Sequence, residues 1–282
     1  MDAAKINGFS LALGFALLQI SAGALGAQSI WVEMAAPKSF TVEATYVNFT
    51  GLYSSDLNGI VISPAQGFYF LEHSTLRIEI PLVYARYSHH RTHHSGSEVD
   101  NGNIVLTWTI MEPEANTWFD FGLSLPVSSF SRENRHAGLI AGGGYLDRLN
   151  LFVSEKIVVS GKLNYSGSAQ NSHIFKICFG PELGMPSSDS NIDPVMAFHF
   201  SGLIGYRWQR ISAMTGASTL FFFGDGRAPL TGTNWQWNTA VNFKMAKLHP
   251  GIHFRMSIQP ENYSDGRTDF VVGLHSSFDL NQ

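Results

Sequence analysis

The sequence predicts an all-β protein, an antiparallel transmembrane β-barrel of about twelve strands, and three observations carry that prediction. Long segments toward the C-terminus alternate apolar and polar residues with a period of two. Their apolar faces carry no charge over about ten residues, the length a tilted strand needs to cross a bilayer. Of 282 residues, 44% are hydrophobic but only 14% are charged, against roughly 25% charged in an average soluble domain.

The alternation is cleanest in Asn234 to Leu280. Trp235, Trp237, Thr239, Val241, Phe243 and Met245 share one face of a first strand, opposite Asn234, Gln236, Asn238, Ala240, Asn242 and Lys244. In a second, Ile252, Phe254, Met256 and Ile258 alternate with His253, Arg255, Ser257 and Gln259. In a third, Phe270, Val272, Leu274, Phe278 and Leu280 alternate with Asp269, Gly273, His275, Ser277 and Asp279. Successive side chains on a strand point to opposite faces, so this sheet has one oily and one wet surface. A soluble sandwich would bury the oily face, whereas a membrane barrel turns it to lipid. Strand length and the tryptophans at the strand start, where interfacial aromatic girdles fall, favour the barrel.

Residues 1–27 read as a secretory signal: Lys5, an apolar core from Phe9 to Leu18, then small residues with cleavage expected at Ala24 or Ala27. The mature domain is then 28–282, and an exported chain of alternating strands points to a bacterial outer membrane. Phe40 to Leu52 forms the first strand. Ile60 to Leu71, broken by Pro64 and Gly67, is expected not to span. Leu76 to Tyr84 alternates strongly, with Arg77 and Glu79 on its polar face. A polar loop through His94 and Gly96 leads to Ile104–Ile110, and Glu112–Asn116 turns into Thr117–Leu125, with Asp120 on the polar side. After a long loop over 126–146, strands are expected at Leu149–Val153, from Val159 to Tyr165 beyond a turn at Glu155–Lys156, at His173–Gly184, at Met196–Tyr206 and at Thr219–Phe223. The net charge of −4 and pI near 6.2 provide no basic footprint for nucleic acid. The one cysteine, Cys178, excludes an intramolecular disulfide, and no base near it in sequence would activate it.

Several blocks resemble a known family, the outer-membrane proteins of the meta-pathway of phenol degradation. Tyr46 to Gly59 (YVNFTGLYSSDLNG) is similar to its first strand and acidic turn. Leu76 to Tyr84 (LRIEIPLVY) is similar to its strand with an apolar-Pro step, Asp100 to Trp108 (DNGNIVLTW) to a Gly-Asp-initiated strand, and Phe121 to Ser128 (FGLSLPVS) to a Gly-Leu-x-Leu-Pro block. Val271 to Leu280 resembles the closing strand. The chain departs from the family at Val127-Ser128, where a Thr-Gly type turn is usual, and lacks the terminal aromatic common among outer-membrane barrels. The resemblance implies a channel for small hydrophobic or aromatic compounds, no cofactor and no catalytic residue. Its expected partners are outer-membrane lipid and the solutes; oligomeric state is left open.

The candidate site is the polar face of the strands. Arg77, Glu79, Asp120, Lys162, Lys176, Glu182, Lys244, Arg255 and Asp269 alternate with apolar neighbours and are expected to line one lumen, where charges of both signs filter solutes. The bland alternative is a plugged structural barrel in which these charges pair with one another. His89, His90, His93 and His94 have the donor type for a transition metal, but Arg91 among them and a loop setting favour a solvated turn. His93-x-Ser95 has the spacing of an outer-membrane lipid hydrolase, yet Gly96-Ser97 follows the serine and the stretch is too polar to be expected as a strand. Solutes are expected to enter through the loops around His89–His94 and Arg132–Gly144.

Overall fold

The computed structural model describes residues 39–52, 55–71, 73–89, 94–111, 116–127, 156–169, 172–186, 194–223, 232–258 and 270–279. The signal over 1–27, the expected strand at Leu149–Val153, Asp269 and His90 to His93 lie outside them. No described residue is helical.

The fourteen strand segments are β1 (Ser39–Leu52), β2 (Ser55–Leu71), β3 (Ser74–Glu79), β4 (Leu82–His89), β5 (His94–Asn101), β6 (Ile104–Met111), β7 (Thr117–Leu125), β8 (Lys156–Ala169), β9 (His173–Pro186), β10 (Val195–Trp208), β11 (Ile211–Phe223), β12 (Gly232–Phe243), β13 (Leu248–Ile258) and β14 (Phe270–Asp279). Every pairing is antiparallel between neighbours, and β1 bonds both β14 and β2, so the sheet closes on itself. Two pairs of segments are single strands with a break. β3 and β4 both pair with β2 in continuous register, and β6 and β5 pair with them in turn. Fourteen segments less those two joins make a closed barrel of twelve strands.

The breaks have a chemical cause. Proline has no N–H to give a ladder. The Pro64 carbonyl accepts from Ile80 N at 3.4 Å where β3 ends, and the Pro81 carbonyl accepts from Gly102 N at 2.7 Å where β5 ends. The missing donors therefore coincide along one line of the wall.

Three expectations are corrected here. Ile60–Leu71 is not a non-spanning segment but most of β2, because Pro64 falls opposite the break in its neighbour. Lys156 begins β8 rather than sitting in a turn. The stretch from His94 is not loop: His94–Asn101 is β5, held against β4 from Leu82↔Asn101 to His89↔His94.

Burial runs opposite to that of a soluble domain. Leu274 is 61% exposed and Ile204 68%, whereas Arg255 is 0% exposed. The oily face of each alternating strand is outside and the wet face inside. Outer aromatics of neighbouring strands meet, Phe221–Trp235 edge to face at 6.4 Å and Tyr165–Phe175 tilted at 5.3 Å between ring centroids. At one end the strands are joined closely, by Trp208 to Ile211 and by Phe243 to Leu248; the opposite end carries the longer connections 126–155 and 259–269. These are called the short-turn and long-loop ends.

Candidate functional site

The inward positions of β1 set out the interior. Ser39, Thr41, Glu43, Thr45, Val47 and Phe49 are all buried, in that order from the short-turn end. Antiparallel pairing places opposed residues on one face, so Glu43↔His275 and Val47↔Val271 bring β14 inward at matching heights.

Glu43 is the hub of a charged cluster. Its Oε1 accepts from Arg255 Nη2 at 3.1 Å and lies 3.4 Å from His253 Nε2, with all three side chains at most 4% exposed. The His253 and His275 rings stack at 5.9 Å and 18°, and His275 Nε2 is 2.6 Å from Asn242 Oδ1. Both rings lie on glycine: a Cβ on Gly273 would strike His253, and one on Gly251 would strike His275 and Asn242. Arg255 carries a fixed positive charge away from water, and the Glu43 carboxylate offsets that cost.

A second group lies on the adjoining wall. Thr109 Oγ1 donates to Asp120 Oδ1, and Asn164 Nδ2 donates to Asp120 Oδ2 at 2.8 Å. Lys162, opposite Asp120 in the β7–β8 register, pairs with Glu182 at 2.7 Å. Arg77 lies 3.6 Å from Glu79 and feels the charges of both Glu43 and Asp120, which joins the two groups. Lys176 lies on the inward face of β9.

A neutral chain completes the polar wall. Cys178 Sγ is 3.7 Å from His199 Nδ1, Ser201 Oγ is 2.8 Å from His199 Nε2 and 2.7 Å from Ser218 Oγ, and Asn238 Nδ2 donates to Ser218 at 3.3 Å. The base that the sequence did not place beside Cys178 is therefore His199, contributed by the next strand.

On β1, β2, β4, β6 and β14 part of the inner wall is apolar. Val47, Phe49, Leu57, Val61, Val83, Ala85, Val105 and Val271 form one buried cluster with Tyr87 packed on it. Glu98 and Asp100 of β5 border it, opposite Ala85 and Val83.

Of the residues expected in the lumen, Arg77, Glu79, Asp120, Lys162, Lys176, Glu182 and Arg255 sit on inward faces and belong to these clusters. Lys244 does not join them: it is exposed beyond the end of β12, its N–H donating to Arg210 O at 2.7 Å. Asp269 and His90 to His93 lie outside the described residues. His89 ends β4 and His94 starts β5. Ser95 is exposed on the outer face of β5. Sequence reasoning placed Asn242, His253 and His275 on the wet face without counting them among the candidate residues, and it missed Glu43 and His199.

No family model matches the chain, and no curated protein matches it. Among solved structures the chain is similar to the COG4313 outer membrane channel from Pseudomonas putida F1, at 15% identity and TM-score 0.60 over 92% of this chain and 99% of that one. It is similar also to the translocator domain of the autotransporter NalP from Neisseria meningitidis, at 7% identity and TM-score 0.55 over 98% and 96%. The NanC porin matches at 8% identity and TM-score 0.50 over 85% and 100%. At such identities what is shared is the fold, that of outer-membrane channels and porins. The narrower likeness to the phenol meta-pathway proteins rests on the sequence blocks alone.

Proposed function

We propose that this chain is an outer-membrane channel for small hydrophobic or aromatic compounds, exported by a cleavable signal at 1–27. The observation that carries the reading is the inner wall, which sets a charged cluster beside an apolar one, inside a barrel whose outer face is oily. A poorly soluble solute would gain from the apolar cluster of Phe49, Leu57 and Val61 once these buried side chains open to it, while the Glu43–Arg255 and Lys162–Glu182 pairs set the field it passes. The structural likeness to a channel and a porin and the resemblance of the Leu76–Tyr84 and Phe121–Ser128 blocks support it.

A second reading, a barrel that conducts nothing, is favoured by one observation. Asn238, Ser218 and Arg255 at the middle of the interior are 0% exposed. Uptake into proteoliposomes across a panel of aromatic and aliphatic compounds separates the two. The channel reading expects faster uptake than empty liposomes, and replacing Arg77 and Arg255 together by Gln should alter conductance or ion selectivity in planar bilayers. No conductance, with uptake equal to that of empty liposomes, selects the silent barrel.

A further inference from the structure

A groove of about 590 Å³ opens in the outer wall at the short-turn end, crossing β9 to β12. Its sides are Phe175, Ile204, Tyr206, Ala213, Thr215 and Thr239. It exists because the outward positions at the start of β11 are small: Ala213 and Thr215 lie between the bulkier Ile204 and Tyr206 of β10 and Val241 of β12. Polarity within it is confined to groups such as the Thr215 and Thr239 hydroxyls, which bond each other at 3.1 Å.

The neighbouring short turns are basic. Arg207 and Arg210 flank Trp208 at the end of β10, and Lys244 and Lys247 lie between β12 and β13; all four are exposed. The two turns touch through the Lys244 N–H to Arg210 carbonyl bond, and β10 is tied to the β8–β9 turn by Arg207 N donating to Ser172 O at 2.6 Å. His173 meets Tyr206 edge to face at 5.3 Å at the groove's rim.

We propose that this groove and its turns form a binding site for one anionic phospholipid, an acyl chain in the groove and the phosphate on Arg210 and Lys247. The choice of occupant follows from charge and depth. Four exposed cations in two touching turns match an anionic headgroup. Tyr206 and Trp208 lie at the level where amphipathic aromatics meet the headgroup region. Short turns mark the periplasmic side of outer-membrane barrels, so the lipid belongs to the inner leaflet. The inference rests on the membrane placement proposed above.

The test is native mass spectrometry of the full chain in detergent, offered equal amounts of phosphatidylglycerol and phosphatidylcholine. Preferential retention of phosphatidylglycerol is expected. The Arg210→Gln/Lys247→Gln double variant should lose on the order of tenfold or more in that preference, each basic residue near an anionic headgroup contributing about fivefold. Ala213→Leu, which fills the groove from a lipid-facing position, should lower retention of both lipids. Equal retention of the two lipids by the parent chain overturns the proposal, and so does a double variant with unchanged preference. An Ala213→Leu effect on oligomeric state without one on lipid would instead make the groove a contact between copies. Each sample is first run boiled and unboiled on a gel. A parent chain whose mobility does not change with heating defeats the membrane reading itself, whereas a heat-modifiable barrel without lipid preference defeats only this inference.

Discussion

The charged and the apolar clusters of the interior share β1 and β14 and differ in their chemistry. Along β1 the inward residues pass from Thr41 and Glu43 to Val47 and Phe49 with no change in alternation. β14 does likewise, with His275 at one height and Val271 at the other. Alternation fixes which way a side chain faces; it leaves open what chemistry that face carries. The charged cluster holds its groups out of water because they are answered by one another, Arg255 by Glu43 and Lys162 by Glu182. The apolar cluster needs no such matching, since burial of each methylene stabilises it independently.

That contrast predicts different costs for damage. The largest is expected in the charged cluster, where Glu43→Ala removes the carboxylate that pairs with Arg255 and should destabilise the barrel by about 3–5 kcal/mol in urea unfolding from detergent. Pairing it with Arg255→Met should recover much of the loss, which a double-mutant cycle reads directly. Leu274→Arg, placing a charge on the outer face, should cost about 2–4 kcal/mol if the residue sits at mid-membrane depth, measured as folding efficiency into liposomes. In the apolar cluster Val61→Ala removes two methyls and should cost about 2 kcal/mol, with no rescue from any partner change. Ser201→Ala, in the neutral chain beside His199, should cost about 1 kcal/mol. A Val61→Ala loss equal to that of Glu43→Ala would mean the two clusters are not held by different forces.

The outer wall was the legible part of this fold. Trp235 to Phe243 and Ile252 to Ile258 alternate so cleanly that facing follows from parity, and the charges on the opposite parity were legible with them. The apolar cluster was not, because the inward row of β1 changes from Ser39, Thr41, Glu43 and Thr45 to Val47 and Phe49 along one strand. From Val47 on, polarity no longer tells the inward face from the outward one. β2 was obscured by Pro64, whose tolerance depends on a break in a neighbouring strand that no local reading contains. Glu43, His199 and Asn242 had the right parity but acquire meaning only from partners on other strands, as Glu43 does from Arg255, 212 residues away in sequence.

Gly251 and Gly273 are the silent half of the charged cluster. Each leaves the space that an imidazole of the neighbouring strand occupies, so the positions of His253 and His275 are encoded as much by what is missing as by the histidines themselves. An alanine at either glycine would change no charge and remove no donor, yet it would push a ring out of its place near Glu43 or Asn242. The electrostatics of this interior are thus sensitive to residues that carry no electrostatics. Two chains with identical charged residues would differ in their interior field if they differed at these glycines, and a comparison restricted to ionisable positions would pass over the cause.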